Sequence, residues 1–208
     1  MIERLTPLLL AVLLSACAGG ARAPEDSFYR LEIAPPPARL ATPLLDGILS
    51  VQVGSAAPVY RDRAFLYSET REPGRLQRYH YHYWMDTPPR LVQRTLADYL
   101  RVAGIATEVV TPADGIDERY RLRVDIERFE QRRARGGGDV TVALRLMLSE
   151  RGSGALLLHE RLQGEAAVDG GEHADLAAAY RRATETVYAQ LLERLRERPL
   201  ARIGNAPN

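Results

Sequence analysis

Apolar positions in the C-terminal half of the chain follow two periods. Tyr120, Leu122, Val124 and Ile126 alternate with Arg121, Arg123, Asp125 and Glu127. Period two is the pattern of a strand with one face buried and one solvated. Val140, Val142, Leu144, Leu146 and Leu148 repeat it, and residues 156–162 return. Gly136-Gly137-Gly138 and Gly152-Ser153-Gly154 supply turn chemistry between these runs. The pattern predicts a three-strand antiparallel meander. The period then changes to that of a helix. Leu176, Tyr180, Ala183, Val187, Leu191 and Leu195 line one stripe of a helix over about 172–196, which Pro199 stops.

The N-terminal half is less regular. Residues 28–33 alternate as a short first strand, and Pro35-Pro36-Pro37 then opens an extended linker. Residues 48–53 read as a second strand, and 64–67 form a short apolar run before the turn signal Glu72-Pro73-Gly74. In 76–84, strict alternation places Tyr79, Tyr81 and Tyr83 on one strand face and His80 and His82 on the other. Thr87 is expected at a helix N-cap, with Pro88 in the first helical position. Leu91, Val92, Leu96, Tyr99, Leu100 and Ala103 make the stripe of that helix, Gly104 closes it, and 105–110 is a short strand. The expected class is α+β, a largely antiparallel sheet with two amphipathic helices packed on one face.

The first residues carry different chemistry. The apolar run 8–14 is too short to span a membrane, which takes about 20 residues. It ends in Leu13-Leu14-Ser15-Ala16-Cys17, the small-residue cut site of a secretory signal peptide. Leu14-Ser15-Ala16-Cys17 resembles the bacterial lipobox, whose cysteine is acylated and becomes the first residue of the mature protein. The expected organisation is a signal peptide over 1–16, a lipidated flexible tether over 17–27, a folded domain over 28–198 and a frayed tail over 199–208.

Composition narrows the function classes. All 28 basic residues are arginines, set against 27 acids, so no global field steers nucleic acid to the chain. Cys17 is the only cysteine, so no disulfide is available, and the 192 residues from it onward suit one domain. His80 and His82 share a strand face, but two ligands fall short of a closed metal site, and His159 and His173 are distant in sequence. Gly136-Gly137-Gly138 lacks the Gly-Lys-Ser/Thr end of a P-loop, and Ser153 lacks the Gly-x-Ser-x-Gly elbow. No catalytic residue, metal or cofactor is expected beyond the covalent lipid on Cys17. Two clusters stay open between a structural and a binding role. Tyr79, Tyr81, Tyr83 and Trp84 read either as packing at a sheet–helix junction or as a partner surface. The polar turn of Tyr60, Arg61, Asp62 and Arg63 reads either as a local Asp–Arg pair or as a docking loop.

The order of motifs adds to this. Val51-Gln52-Val53 leads through Tyr60-x-Asp62-Arg63 and Phe65-Leu66-Tyr67 to Leu76-Gln77-Arg78-Tyr79, then to Tyr83-Trp84, Pro88 and the helix with Leu96 and Leu100. This order, with the lipobox, resembles the ABC-type transport auxiliary lipoprotein family over roughly 28–196. His80-Tyr81-His82-Tyr83 departs from the family's usual mix of Glu, Phe and small residues. The resemblance implies a non-catalytic accessory subunit of an MCE-type lipid transport system, anchored by lipid to the periplasmic face of the outer membrane. It further implies an MCE-domain protein as partner, met at the turn of Tyr60, Arg61 and Arg63; the composition of Tyr79, Tyr81, Tyr83 and Trp84 makes that cluster the other candidate contact. A homo-oligomer is compatible with it. Ala18, in place of Asp, favours the outer over the inner membrane. The competing reading is an outer-membrane lipoprotein that activates a cell-wall synthase or scaffolds the envelope.

Overall fold

In the computed structural model the described residues are 24–135 and 138–198. The expected signal peptide over 1–16, Cys17, Gly136-Gly137 and the tail after residue 198 lie outside them. The chain runs β1 (Ser27–Tyr29), β2 (Leu45–Ala56), a 3-10 turn (Pro58–Arg61), β3 (Ala64–Glu69), β4 (Glu72–Trp84), α1 (Pro88–Ala103), β5 (Ala106–Val110), β6 (Tyr120–Arg133), β7 (Asp139–Glu150), β8 (Leu156–Ala167) and α2 (His173–Glu197). The class is α+β, as the patterning predicts.

β6 is the spine of the sheet. One of its sides pairs antiparallel with β7 over nearly its full length, and β7 pairs antiparallel with β8. This is the predicted meander, and every residue of its alternating apolar sets on β6 and β7 is buried. The other side of β6 is shared. β2 runs parallel to residues 120–126, and β3 runs parallel to residues 131–133. The eleven steps from Ala56 to Tyr67 lie opposite only five on β6, from Ile126 to Gln131. The surplus is taken up by the 3-10 turn, so β2 and β3 are one interrupted edge laid along one long strand. β5 adds to β2 in parallel, β4 to β3 antiparallel, and β1 to β4 in parallel. The sheet is therefore mixed, with its longest ladders antiparallel. Parallel partners are remote in sequence, and local alternation carries no record of them.

The two helices bury the predicted stripes. Leu91, Val92, Leu96, Tyr99, Leu100 and Ala103 of α1 are all buried, as are Leu176, Tyr180, Ala183, Val187, Leu191 and Leu195 of α2. Thr87 occupies the N-cap without a side-chain cap bond; its own N–H donates to Asp86 Oδ1 at 2.8 Å. Gly104 closes α1 at φ 70°, the left-handed conformation that a Cβ disfavours. α1 and α2 are tied by hydroxyl bonds, with Tyr188 Oη 2.9 Å from Thr95 Oγ1 and donating to the Val92 carbonyl at 3.1 Å. Tyr180 Oη donates to the Leu66 carbonyl at 3.1 Å, joining α2 to β3. One continuous hydrophobic core results.

α2 also closes the outer side of β8, which has no strand beside it among the described residues. Arg182, Gln190 and Arg198 donate to the carbonyls of Ala167, Gln163 and Leu157 at 2.6, 3.2 and 3.3 Å. Side-chain donors thus occupy acceptors that would otherwise invite another strand. β1 is shorter than predicted, because after Tyr29 the chain turns Leu31 into the core and sends the Ala34 N–H to Glu185.

Candidate partner surface

The turn after β2 is built around a tyrosine. Pro58 starts the 3-10 turn, and Tyr60 is swung into the gap that the turn leaves beside β6. Tyr60 is only 4% exposed, and its hydroxyl donates to Glu130 Oε2 at 2.5 Å. Burial and the adjacent Glu130 carboxylate push its phenol far above the ordinary range. Tyr60 is therefore a core anchor, which corrects the expectation of a partner contact at this position. The turn needs a large side chain to fill the space vacated by the missing ladder.

The polar residues of the turn divide. Asp62 does not pair with Arg63. Its Oδ2 is 2.5 Å from Arg78 on β4, and its Oδ1 accepts the Ala64 N–H at 3.2 Å. Arg63 lies over Phe28 of β1, with its guanidinium carbon 5.6 Å from the ring centroid. Arg61 is exposed and makes no ion pair or hydrogen bond among the described residues.

The tyrosine strand is not a regular strand. Ala64 pairs with Tyr83 and Leu66 with Arg78, so residues 79–82 have only Phe65 opposite them. Tyr81 sits at φ 66°, the single non-glycine positive φ among the described residues. This bulge breaks the predicted alternation of faces. Tyr79 and His82, expected on opposite faces, both reach His173 at the start of α2. Tyr79 meets it edge-on at 5.0 Å and donates from its hydroxyl to Gln131 Oε1 at 2.7 Å. His82 stacks on it at 3.4 Å with the rings 6° apart, and Tyr29 Oη lies 3.1 Å from His82 Nδ1. Burial lowers both histidines from their ordinary value; their mutual repulsion adds to this at His82 and Arg133 adds to it at His173, while Glu172 opposes it there.

Trp84 is the second correction. It is 1% exposed, 4.4 Å from Phe65, 5.1 Å from Tyr180 and 5.7 Å from Phe129 by ring centroid. A side chain sealed between sheet and helix cannot meet a partner. Tyr81, at 43% exposed, does project to solvent, and Tyr83 is half-buried against Phe28 at 5.8 Å. Asp62, Arg78, Tyr79, His80 and Tyr83 line one depression of 440 Å³. The turn and the tyrosine strand thus meet in one depression, and their sequence neighbours Arg61, Arg63 and Tyr81 are exposed.

Sequence reasoning did not reach Phe28, Arg78 or His173. Their membership depends on the parallel pairing of β1 with β4 and on where α2 begins, both non-local. Among the described residues no group of three His, Cys, Asp or Glu side chains is gathered as a metal site, and no helix is long and apolar enough to cross a membrane.

Comparison with known proteins agrees with this fold. Protein XCC0632 of Xanthomonas campestris is similar at 21% identity, with 80% of this chain and 92% of that one covered and a TM-score of 0.68. An uncharacterized protein of solved structure is similar at 13% identity, with 83% and 99% covered and a TM-score of 0.63. At these identities the likeness speaks for the fold alone. Comparison with the curated proteins finds no match. Residues 29–191 match the family described as the ABC-type transport auxiliary lipoprotein component, a stretch that takes in the stripe of α1, that of α2 as far as Leu191, the tyrosine turn and the bulged strand. The chain belongs to the ABC-type transport auxiliary lipoprotein family.

Proposed function

We propose that the chain is a lipid-anchored, non-catalytic accessory subunit of an MCE-type ABC transport system that moves lipids between the inner and outer membranes. The observation that carries this reading is the family match over nearly the whole folded domain. The sequence Leu14-Ser15-Ala16-Cys17 supports the anchor, and Ala18 supports the outer membrane. Docking to the MCE-domain partner uses Arg61, Arg63 and Tyr81. These are exposed, and Arg61 has no side-chain partner among the described residues, so engaging a carboxylate breaks no ion pair described within the chain. A desolvated, bidentate Arg contact has the strength of an interface hot spot, about 2 kcal/mol or more.

Arg61→Ala is expected to weaken capture of the MCE-domain partner by about tenfold or more while leaving the melting temperature at the wild-type value. Asp62→Asn is the structural control. It loses Arg78 and should lower the melting temperature more than Arg61→Ala does. Unchanged affinity in both Arg61→Ala and Arg63→Ala would move the interface off this surface. The anchor is tested separately, by metabolic labelling with a fatty-acid analogue, which Cys17→Ser should abolish.

A further inference from the structure

The β3–β4 and β6–β7 hairpins end side by side. Thr70, in the first, donates both its N–H and its hydroxyl to the Arg133 carbonyl at the foot of the second, at 3.1 and 2.9 Å. Between the two tips lies a concavity of 610 Å³ lined by Arg71, Arg75, Arg133 and Arg135 with Glu69 and Glu72. The acids do not neutralise it. Arg75 meets Glu72 at 3.3 Å and Arg133 meets Glu69 at 3.8 Å, both in the open, and Arg133 also lies 5.1 Å over the Tyr67 ring. Arg71 and Arg135 have no acid partner among the described residues. The opposite end of β6, about 40 Å away at a strand rise of about 3.3 Å per residue, is arranged differently. There Arg119, Arg121 and Arg151 each face a carboxylate, at 3.1, 2.5 and 2.7 Å from Glu150, Glu118 and Asp117. Of the two ends of β6, only the hairpin end gathers arginines without an acid partner among the described residues.

The path of the chain points the same way. β4 leaves the tip at Glu72, and β1 runs parallel to it, with Ser27 beside His82. The chain before Ser27 therefore arrives from the tip side. Ser27 stands about five strand steps, or roughly 17 Å, back from the tip. The ten residues from Cys17 to Asp26 reach at most about 36 Å. A chain tethered at Cys17 can thus rest its arginine tip on the surface that holds the lipid.

We propose that the Arg71, Arg75, Arg133 and Arg135 concavity docks on anionic phospholipid headgroups of the membrane to which the chain is anchored. The proposal rests on the anchored reading above. Guanidinium groups match phosphate oxygens bidentately, and each basic residue near an anionic bilayer contributes a factor of about five in binding. Docking would fix the orientation of the domain and hold the Arg61 surface at a set height above the bilayer.

The test uses the lipidated full chain in vesicles, carrying a dye on Gly74→Cys. A Cβ at Gly74 meets nothing within 4 Å, and once Cys17 is acylated this thiol is the sole free one. Brominated phosphatidylglycerol in phosphatidylcholine vesicles should quench the dye, and vesicles of brominated phosphatidylcholine alone should not. Arg71→Gln with Arg135→Gln should lower the contact equilibrium about twenty-five-fold, whereas Arg151→Gln should leave it unchanged. Equal quenching in charged and neutral vesicles, or an unaffected double variant, overturns the proposal. So does shielding of the dye on neutral vesicles by an added MCE-domain partner, which would assign the tip to a protein. Release of the chain from charged vesicles by 0.5 M NaCl is a different failure: it overturns the anchored reading, while quenching at low salt still supports docking of the tip.

Discussion

The two sides of β6 are built by different rules. On the β7–β8 side, alternation is regular, the ladders are long and antiparallel, and α2 covers both the face and the outer edge. On the β3–β4–β1 side, pairing is mixed in direction, a turn interrupts β2 and β3, and β4 carries a bulge with Tyr81 at positive φ. The outer edge of β4 is covered by β1 only at residues 82–84, and α2 does not close it. Pro73, Arg75, Arg78 and the bulge stand there instead, features that keep an open edge from recruiting other strands. The regular side is a frame. The irregular side carries Arg61, Arg63 and Tyr81, the exposed groups of the proposed docking surface. Bulges re-aim side chains, and that side has used one to bring Tyr79, His82 and His173 together.

The largest effect should come from cutting the contact between the two sides. Trp84 belongs to the irregular side by sequence but packs on Phe129 of β6 and Tyr180 of α2. Trp84→Ala should cost about 3–5 kcal/mol. Because both sides share one core, thermal unfolding should remain a single transition displaced downward on the order of 10 °C. A biphasic melt, with β6–β8 amides still protected from exchange after the first step, would show two units in place of one.

A smaller effect isolates the frame. Gly164 of β8 lies directly under α2, and a Cβ there would come 2.1 Å from the Ala183 carbonyl oxygen. Backbone cannot step aside as a flexible side chain can, so Gly164→Ala should cost about 1–3 kcal/mol. Capture of the MCE-domain partner by protein that remains folded should be unchanged, since the proposed docking groups sit across β6. Reduced capture at full folding would join the two sides functionally.

The same division separates what the sequence reveals from what it hides. The alternation of 120–126 and 140–148, and the stripes of both helices, report burial directly, because a regular element maps sequence period onto face. Asp125 shows the limit even there. Its place in the alternation puts it on the solvated face, yet it is buried, accepting the Ser55 N–H at 2.6 Å where the end of β2 folds over it. On the irregular side the period itself fails. Four residues opposite one cannot be read from Tyr79-His80-Tyr81-His82, and the exchange of Tyr60 from surface to core follows from a length mismatch between β2–β3 and β6 that only the assembled sheet displays. His173 was remote in sequence and adjacent in space.

The smallest expected effect bears on that histidine. His82 and His173 stack face to face, ringed by Tyr29 from β1, Tyr79 from β4, Arg133 from β6 and Glu172 beside α2. Both titrate below their ordinary value, with burial the main cause. The unfolded chain therefore binds more protons than the folded one between the lowered folded values and about 6.5. The stability that these rings contribute is present above that window and is lost as pH falls through it, when a second positive ring would face the first. Glu118, which Arg121 holds below the usual carboxylate range, and Glu150, which Ser153 and Arg119 hold there, are common to wild type and variant, so their share of the pH dependence cancels in the comparison. His173→Phe keeps a ring against His82 and Tyr79 and removes one titrating group. Between pH 7.5 and 5.0 the wild-type melting temperature should fall further than that of His173→Phe, by a difference on the order of 1 °C for rings that keep partial contact with water. An equal fall in both proteins would mean that the stacked pair is a packing feature of the bulge and takes no part in its response to pH.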